Sequence, residues 1–196
     1  MKVPLDSTGL FEFDEETHTY YLGDTILPSV TQILEDVGLI DSSKYSKLEF
    51  YLERGSAIHG ATDLIDKNQL DRDSLDDRIV GHVSAYEKFK KETGFEVKAS
   101  ELALYSKTYK YAGTMDKVGI LYGKESIIDL KTNSVPNWGG IQLSGYNELF
   151  PGRAFNRYGL ALKEDGSYRL VPFDNFRDRV VFLAAVTVYN AKHGRM

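Results

Sequence analysis

The spacing of hydrophobic and polar positions divides the chain into an N-terminal part of short strands and helices and a C-terminal part that is richer in strands. Alternation over 11–22 around a polar centre predicts a β-hairpin, and 25–27 a short third strand. Ser29-Val-Thr-Gln32 is a capping-box pattern, which predicts a helix from Ser29 to about Gly38. Apolar residues at helical spacing predict two longer helices over 44–67 and 74–92.

The C-terminal part predicts three successive strands, a helix, two further strands and a last helix. In chain order these elements cover 95–106, 110–122, 126–132, 137–150, 153–162, 168–173 and 174–192. Strands that first follow one another directly and are then joined through a helix are typical of a mixed sheet flanked by helices. We therefore predict an α/β fold in a single domain, 1–196, in which 1–70 forms the N-terminal hairpin and helices and 74–192 the core.

Composition excludes several classes of protein and site. The chain of 196 residues is 42% hydrophobic and 27% charged, as is usual for a globular domain, and no apolar run is long enough to span a bilayer. The first residues carry no apolar segment typical of a signal peptide, so we expect a cytoplasmic location without a membrane. Because there is no cysteine, a disulfide framework, a thiolate zinc site, an iron-sulfur cluster and a cysteine nucleophile are excluded.

Charge is distributed unevenly along the chain. Residues 1–87 hold 7 Lys and Arg against 18 Asp and Glu, whereas residues 88–196 hold 17 against 11. A basic second half favours contact with a polyanion on that part of the molecule. The alternative is a solvated surface on which the charges simply happen to be uneven.

Three acidic residues interrupt the apolar faces of the three successive predicted strands. Glu101 shares a strand face with apolar neighbours, Asp116 interrupts an otherwise apolar face of the next strand, and Asp129 points the same way as Lys131. Burying a carboxylate costs several kcal/mol unless it is paired or bound to a metal. The three acids therefore call for one shared explanation.

The predicted register brings these acids together. A two-residue turn at Gly123-Lys124 would set Asp116 opposite Lys131 and diagonal to Asp129. Lys131 could neutralise its neighbours in a buried salt-bridge cluster, but one lysine faces three acids, which favours a divalent cation. Oxygen ligands suit Mg²⁺ or Mn²⁺. A divalent cation lowers the pKa of bound water and stabilises charge on a phosphoryl oxygen, and a nearby lysine can orient that water, so the pattern favours phosphodiester hydrolysis. A glycoside hydrolase needs only two acids and no lysine.

Three segments resemble the motifs of the PD-(D/E)XK nuclease superfamily, in its RecB-like and phage exonuclease branch. They are Gly113-Thr-Met-Asp116, Ile127-Ile-Asp-Leu-Lys-Thr132 and Gln142-Leu-Ser-Gly-Tyr146. The resemblance implies a restriction-endonuclease-like core of order αβββαβ, with Asp116, Asp129 and Lys131 as catalytic residues. It also implies metal ligation by Asp116, Asp129, the Leu130 carbonyl and, less directly, Glu101. Thr114-Met115 departs from the family, which often has a proline there.

A segment upstream, Arg54-Gly-Ser-Ala-Ile-His59, resembles the R-G-x-x-x-H helix of the same branch and implies that His59 is a further metal ligand. The alternative is an ordinary histidine on an amphipathic helix. Gln142 and Tyr146 share a helix face, where the family places them near the DNA backbone; the alternative is that Tyr146 is a core aromatic. Asp63 and Asp66 follow His59 at helical spacing and are interpreted as solvated.

Together these features predict a Mg²⁺- or Mn²⁺-dependent deoxyribonuclease, as an exonuclease on DNA ends. The segment Leu27–Leu34 resembles phage exonuclease-like proteins, which suggests phage recombination or repair and a single-strand annealing protein as partner. A structure-specific endonuclease with the same site and a non-catalytic DNA-binding factor are the alternatives. The basic residues expected at the DNA are Arg54, Lys107, Lys110, Lys117, Arg153 and Arg157.

Overall fold

A computed structural model describes residues 2–14, 16–41 and 49–195 of the chain. The beginning of the second predicted helix, 44–48, lies outside the described residues. Within them, two β-sheets and five α-helices form the mixed α/β architecture that the sequence predicts. No helix in the described part of the chain combines the length and apolarity that crossing a bilayer requires.

The N-terminal sheet is antiparallel, with its strands in the order β1-β2-β3-β4. These strands are β1 (Lys2–Pro4), β2 (Phe11–Asp14), β3 (Thr19–Leu22) and β4 (Thr25–Leu27). β2 and β3 form the predicted hairpin, whereas β1 is short and exposed and gives no alternation signal. Phe11, Tyr20 and Leu27 pack against Ala112, which seats this small sheet on the central one.

Three helices follow, each close to its predicted position. They are α1 (Val30–Asp36), α2 (Glu49–Asp66) and α3 (Asp77–Thr93). Ser29 and Gln32 form the predicted capping box: the Ser29 side chain accepts from the Gln32 N–H at 3.0 Å, and the Gln32 side chain accepts from the Ser29 N–H at 2.8 Å. α3 ends at Gly94, whose φ of +66° is the left-handed conformation that favours glycine at this position.

The central sheet has five strands in the order β5-β6-β7-β8-β9. The elements are β5 (Glu96–Ser106), β6 (Tyr111–Leu121), β7 (Lys124–Thr132), α4 (Gly139–Asn147), β8 (Asn156–Leu162), β9 (Tyr168–Pro172) and α5 (Arg177–Lys192). Only β7 and β8 pair in parallel, because α4 carries the chain across between them; the other pairs are antiparallel. The succession from α3 to β8 is the predicted αβββαβ order.

Helices pack on both faces of the central sheet, which explains the near-continuous apolar run in β7. Ile127 joins a cluster with α1, α4 and α5, whereas its neighbour Ile128 joins a second cluster with α2 and α3. Successive side chains of a strand point to opposite faces, so both must be apolar when both faces are covered.

The register between β6 and β7 differs from the prediction by two residues. The turn is Tyr122-Gly123, with φ of +51° and +74°, and Leu121 pairs with Lys124. Both central residues of a type I′ turn need positive φ, and glycine fits its second position. The predicted placement of Asp116 opposite Lys131 is therefore wrong. A shift of two residues preserves the face on which each side chain lies, so these side chains still point toward the same region.

Candidate metal centre

The candidate site lies just past the end of the paired region between β6 and β7. The last pair of that ladder is Lys117 with Ile128, and Asp116 and Asp129 come directly after it. Here the Asp116 side chain replaces the backbone as partner: its Oδ2 accepts a hydrogen bond of 2.6 Å from the Leu130 N–H. This bond fixes the Asp116 carboxylate between the two strands.

Side chains from two other elements, α2 and β5, converge on Asp116 of β6. His59 Nδ1 of α2 lies 3.4 Å from Asp116 Oδ1 and 3.6 Å from Glu101 Oε1 of β5. One ligand atom from each of His59, Glu101 and Asp116 can be chosen so that all three lie within 4.8 Å of one another. Donor atoms at this spacing can bind a single cation.

Glu101 reaches this group by a route that the simple alternation of a strand does not predict. A register shift between Val97 and Ala99 breaks the alternation of β5, and Glu101 has a φ of +49°, an uncommon backbone conformation for glutamate. The predicted position of Glu101 on a buried apolar face is therefore wrong, since its side chain is 36% exposed. Ser100 pairs with Lys117 and Leu102 with Met115, so Glu101 lies across from Asp116.

Asp129 and Lys131 form an ion pair beside these three residues. Lys131 Nζ lies 2.6 Å from Asp129 Oδ2 and donates to Gln142 Oε1 at 3.4 Å. Asp129 is buried, and among the described residues its Oδ2 accepts no well-directed hydrogen bond despite the nearby ammonium. Sequence reasoning expects Lys131 to face Asp116; the structure pairs it with Asp129 on its own strand.

The ionisable groups shift one another's pKa. Burial would raise the pKa of Asp116, but the positive charges of His59 and Lys131 and the hydrogen bonds from His59 and the Leu130 N–H together outweigh burial and lower it. Burial raises the pKa of Asp129, and although the positive charge of Lys131 opposes this effect, the negative charge of Asp116 adds to it. Asp116 raises the pKa of His59 to about 10, against the opposing effect of burial. The site is therefore short of positive charge.

Lys131 remains a cation in this setting. Burial alone would lower its pKa, but the carboxylates of Asp129 and Asp116 outweigh burial and raise it. The Lys131 ammonium also lies 5.7 Å from the centre of the Trp138 ring. A protonated amine beside the acidic group can stabilise negative charge on a substrate.

Gln142 and Tyr146 hold the neighbouring wall through a chain of hydrogen bonds. Gln142 Nε2 donates to the Tyr146 hydroxyl and to Thr31 Oγ1, each at 3.1 Å. Thr31 is a supporting residue that sequence reasoning misses, because its only sequence signal is its place in the capping box. Both Gln142 and Tyr146 are largely buried, and burial raises the pKa of Tyr146 well above its usual value.

The donor set fits a divalent cation. Carboxylate oxygens with one imidazole nitrogen suit Mg²⁺ or Mn²⁺, with the imidazole favouring Mn²⁺. Two further observations favour a bound cation: the site is short of positive charge, and the buried Asp129 Oδ2 accepts no directed hydrogen bond among the described residues. Metal ligation by the Leu130 carbonyl stays a prediction. In the structure, the Leu130 N–H donates to Asp116 Oδ2.

Two of the basic residues predicted at the DNA are engaged by other parts of the fold. The Lys117 side chain is 0% exposed, and its ammonium lies 2.8 Å from Asp66 and 2.6 Å from Ser100 Oγ. Arg157 is nearly buried, where it donates to Gly140 O and Asn175 O. Lys117 has no exposed surface, so the prediction that it contacts DNA is wrong, whereas DNA contact by Arg157 stays a prediction. Asp66 is likewise buried rather than solvated.

The other basic candidates differ in how available they are. Lys107 borders a surface cavity, Lys110 donates to the carbonyl of Arg195 at 2.8 Å, and Arg153 pairs with Glu125 while half exposed. Arg54 is partly buried and lies near His82. Burial is the main cause that lowers the pKa of His82, and the positive charge of Arg54 adds to it. DNA contact by these four residues stays a prediction.

Comparisons with known proteins give only distant likenesses. No protein-family model and no curated protein matches this sequence. One similar solved structure, described as a "putative exonuclease" from Eubacterium rectale, shares 13% identity over 84% of this chain and 74% of its own, with a TM-score of 0.48. A second, the protein SSO0001, shares 15% identity over 74% of this chain and 71% of its own, with a TM-score of 0.35. At these scores neither likeness carries an argument about the function of this chain.

Proposed function

We propose that this protein is a metal-dependent deoxyribonuclease that hydrolyses phosphodiester bonds, with Mg²⁺ or Mn²⁺ as its cofactor. One observation carries the proposal: ligand atoms of His59, Glu101 and Asp116 lie within 4.8 Å of one another, and the Asp129-Lys131 ion pair lies beside them. Acidic donors next to a charged lysine are what phosphodiester hydrolysis needs, because negative charge develops on the phosphate oxygens during the reaction.

Each residue has a distinct task in this proposal. Once the His59 imidazole has released its proton, His59, Glu101 and Asp116 would hold the cation, and Asp129 would offer a further carboxylate. A bound divalent cation supplies positive charge to the phosphate and lowers the pKa of water. Lys131 orients the attacking water and stabilises the charged phosphate. Gln142 accepts from the Lys131 ammonium and is itself held by Thr31 and Tyr146.

We propose exonuclease action on DNA ends, in phage or prophage recombination or repair, as the specific form of this activity. Its support is the resemblance of the Gly113–Asp116, Ile127–Thr132 and Gln142–Tyr146 segments to that branch of nucleases. A cytoplasmic location and a single-strand annealing partner belong to the same proposal. An endonuclease with the same site is the second candidate, since none of these groups distinguishes a strand end from an internal position.

The test is digestion of end-labelled linear duplex and single strands with Mg²⁺ and with EDTA. We expect degradation only with Mg²⁺, and its loss in Asp129→Ala and Lys131→Ala. Lys98→Ala is the matched control, because Lys98 is an exposed lysine on β5 paired with Glu96. Full activity in either site variant would contradict the proposal. Closed circular duplex separates the two candidates, because only an endonuclease cuts it.

A further inference from the structure

A cavity of about 340 Å³ opens between the N-terminal sheet and the central sheet. Its wall is built from several elements: the β2-β3 hairpin, the beginning of α1, β6 and α4. The side chains that matter below are Phe13, His18, Tyr20, Gln32, Thr114 and Tyr146. Its volume is at the small end of the roughly 300–1,000 Å³ found for ligand pockets, which suits a ligand about the size of one nucleotide.

The cavity is connected to the candidate metal centre by short contacts. Tyr146 of its wall accepts from Gln142, and Gln142 accepts from the Lys131 ammonium. On the other wall, the hydroxyls of Tyr20 and Thr114 lie 2.7 Å apart, and Thr114 is two residues before Asp116 on β6. A ligand in the cavity would therefore lie beside a phosphate held at the centre.

Aromatic rings dominate the hairpin side of the cavity. The Phe13 and His18 ring centres are 5.7 Å apart in an edge-to-face arrangement, and the Phe13 and Tyr20 ring centres are 4.8 Å apart. Phe13 is half-buried and His18 is exposed, so both rings have surface left to contact a ligand. Bases of single-stranded nucleic acid stack on such rings with little regard to sequence.

The charge of the lining distinguishes a base from a phosphate. Among the described residues that line the cavity there is no Lys, Arg, Asp or Glu. A phosphate would find no strong cation there, whereas hydroxyl and amide groups such as those of Thr114 and Gln32 can serve the polar edge of an uncharged base. The chemistry therefore favours a flat, neutral ligand with a polar rim.

We infer that this cavity receives one unpaired base of the DNA strand whose phosphate lies at the metal centre, with Phe13 and His18 as its stacking surface. The inference rests on the proposed nuclease function and specifies its substrate. A base inside the cavity cannot remain paired, so the preferred substrate is a single strand or a frayed end.

Two variants remove the rings while preserving the fold. Phe13→Leu keeps an apolar contact to Tyr20 without an aromatic ring. His18→Asn keeps a residue that tolerates the left-handed backbone at that position, where φ is +48°. Phe176→Leu is the matched control, because Phe176 is 75% exposed at the beginning of α5 and does not line the cavity. Circular dichroism checks that each variant is folded.

The first measurement is binding of a short oligothymidine strand that carries 2-aminopurine at one position, in Ca²⁺. A series of such strands carries the 2-aminopurine probe at each position in turn. We expect quenching of the 2-aminopurine fluorescence at one or two adjacent positions with the parent protein and with Phe176→Leu. The Phe13→Leu/His18→Asn double variant should lose that position-specific quenching.

The second measurement is kcat/KM in Mg²⁺ for the same strand with an abasic nucleotide at the quenched position. The parent should cleave the abasic strand about tenfold less efficiently than the intact one, and the double variant should treat both alike. Equal position-specific quenching in parent and double variant, or an abasic effect that persists in the double variant, would overturn the assignment while leaving the nuclease proposal standing. A parent protein that neither binds nor cleaves DNA would overturn both.

Discussion

Two neighbouring clusters of ionisable side chains share two elements, α2 and β6, but are satisfied to very different degrees. Strand β6 supplies Asp116 to one cluster and the next residue, Lys117, to the other. Helix α2 supplies His59 to the first and Asp66, two turns later, to the second. The comparison shows which acids are part of the scaffold and which are left for a ligand.

The Asp66 cluster is internally complete. Asp66 accepts from the Tyr86 hydroxyl at 2.9 Å, from Lys90 at 2.7 Å, and contacts the Lys117 ammonium at 2.8 Å. Lys117 donates further to Ser100 Oγ. Each buried charge has an opposite charge and directed hydrogen bonds, which is the condition under which a buried ion pair is tolerated.

The Asp116 cluster is not internally complete. Three carboxylates share one lysine and one histidine, and the Asp129 Oδ2 accepts no directed hydrogen bond among the described residues. The same strand and helix thus carry one saturated cluster and one with spare ligand atoms. Spare acidic donors are costly unless a cation binds them, so the difference favours the Asp116 cluster as the candidate functional site.

The largest expected effect separates the two clusters by activity. Asp116→Asn keeps the shape of the side chain but removes its charged ligand oxygen. We therefore expect Mg²⁺-dependent DNA cleavage to fall below roughly one ten-thousandth of the parent rate, which corresponds to a rise of about 5.5 kcal/mol in the activation barrier. Asp66→Asn should retain cleavage per folded molecule. Initial rates at equal concentrations of folded protein measure both. An active Asp116→Asn protein would show that the clusters are assigned wrongly.

The free energy of unfolding, unlike activity, should depend strongly on the Asp66 cluster. Asp66→Asn leaves Lys117 as a buried charge without its partner, which should lower the free energy of unfolding by about 3–5 kcal/mol. Asp36→Asn breaks a surface pair with Lys192, which water and salt screen, and should cost far less. Urea denaturation followed by fluorescence gives both values. Equal losses in the two variants would contradict the scaffold role of Asp66.

Glu101 provides a graded test within the functional cluster. Because its side chain is over a third exposed, water can replace its oxygen on the cation, so Glu101→Gln should weaken metal affinity by about tenfold, ~1.4 kcal/mol. The Mg²⁺ concentration that gives half-maximal cleavage should rise by that factor while the rate at saturating Mg²⁺ changes little. Glu96→Gln, an exposed acid on the same strand, is the control. An unchanged Mg²⁺ dependence would remove Glu101 from the ligand set.

His82 shows a third way to bury a titratable group, which is to keep it neutral. It is buried, neither ring nitrogen has a hydrogen-bond partner among the described residues, and burial, helped by Arg54 and opposed by Glu164, lowers its pKa. Below about pH 6.5 the unfolded chain binds a proton that the folded chain does not, so stability should fall as pH decreases, by at most about 1.4 kcal/mol per pH unit. His82→Leu should flatten this slope. Parallel slopes for His82→Leu and the parent would contradict this account.

The fold was predictable where local signals agree with tertiary structure. The capping box at Ser29 fixes the beginning of α1, and Ile127 and Ile128 report a strand covered on both faces. The register of β6 and β7 was not predictable from the turn alone, because Tyr122-Gly123 and Gly123-Lys124 both suit two-residue turns. In the structure Tyr122 has a positive φ, so the turn is Tyr122-Gly123.

The candidate site was predictable in its members more than in its pairings. Parity along the strands identified Asp116 and Asp129, because an acid on a buried face is conspicuous in sequence. The exposure of Glu101 was missed, since a register shift in β5 leaves no sequence signature. The burial of Lys117 was missed because its partner Asp66 is distant in the chain, and only the packing of α2 on the sheet brings the two together.

The most direct test of the central claim is calorimetric titration of the parent protein, Asp116→Asn and Asp66→Asn with Mn²⁺. The account predicts saturable binding by the parent and by folded Asp66→Asn, and its loss in Asp116→Asn. Saturable binding that survives intact in Asp116→Asn, or none in the folded parent, would contradict the claim that this cluster holds the cation.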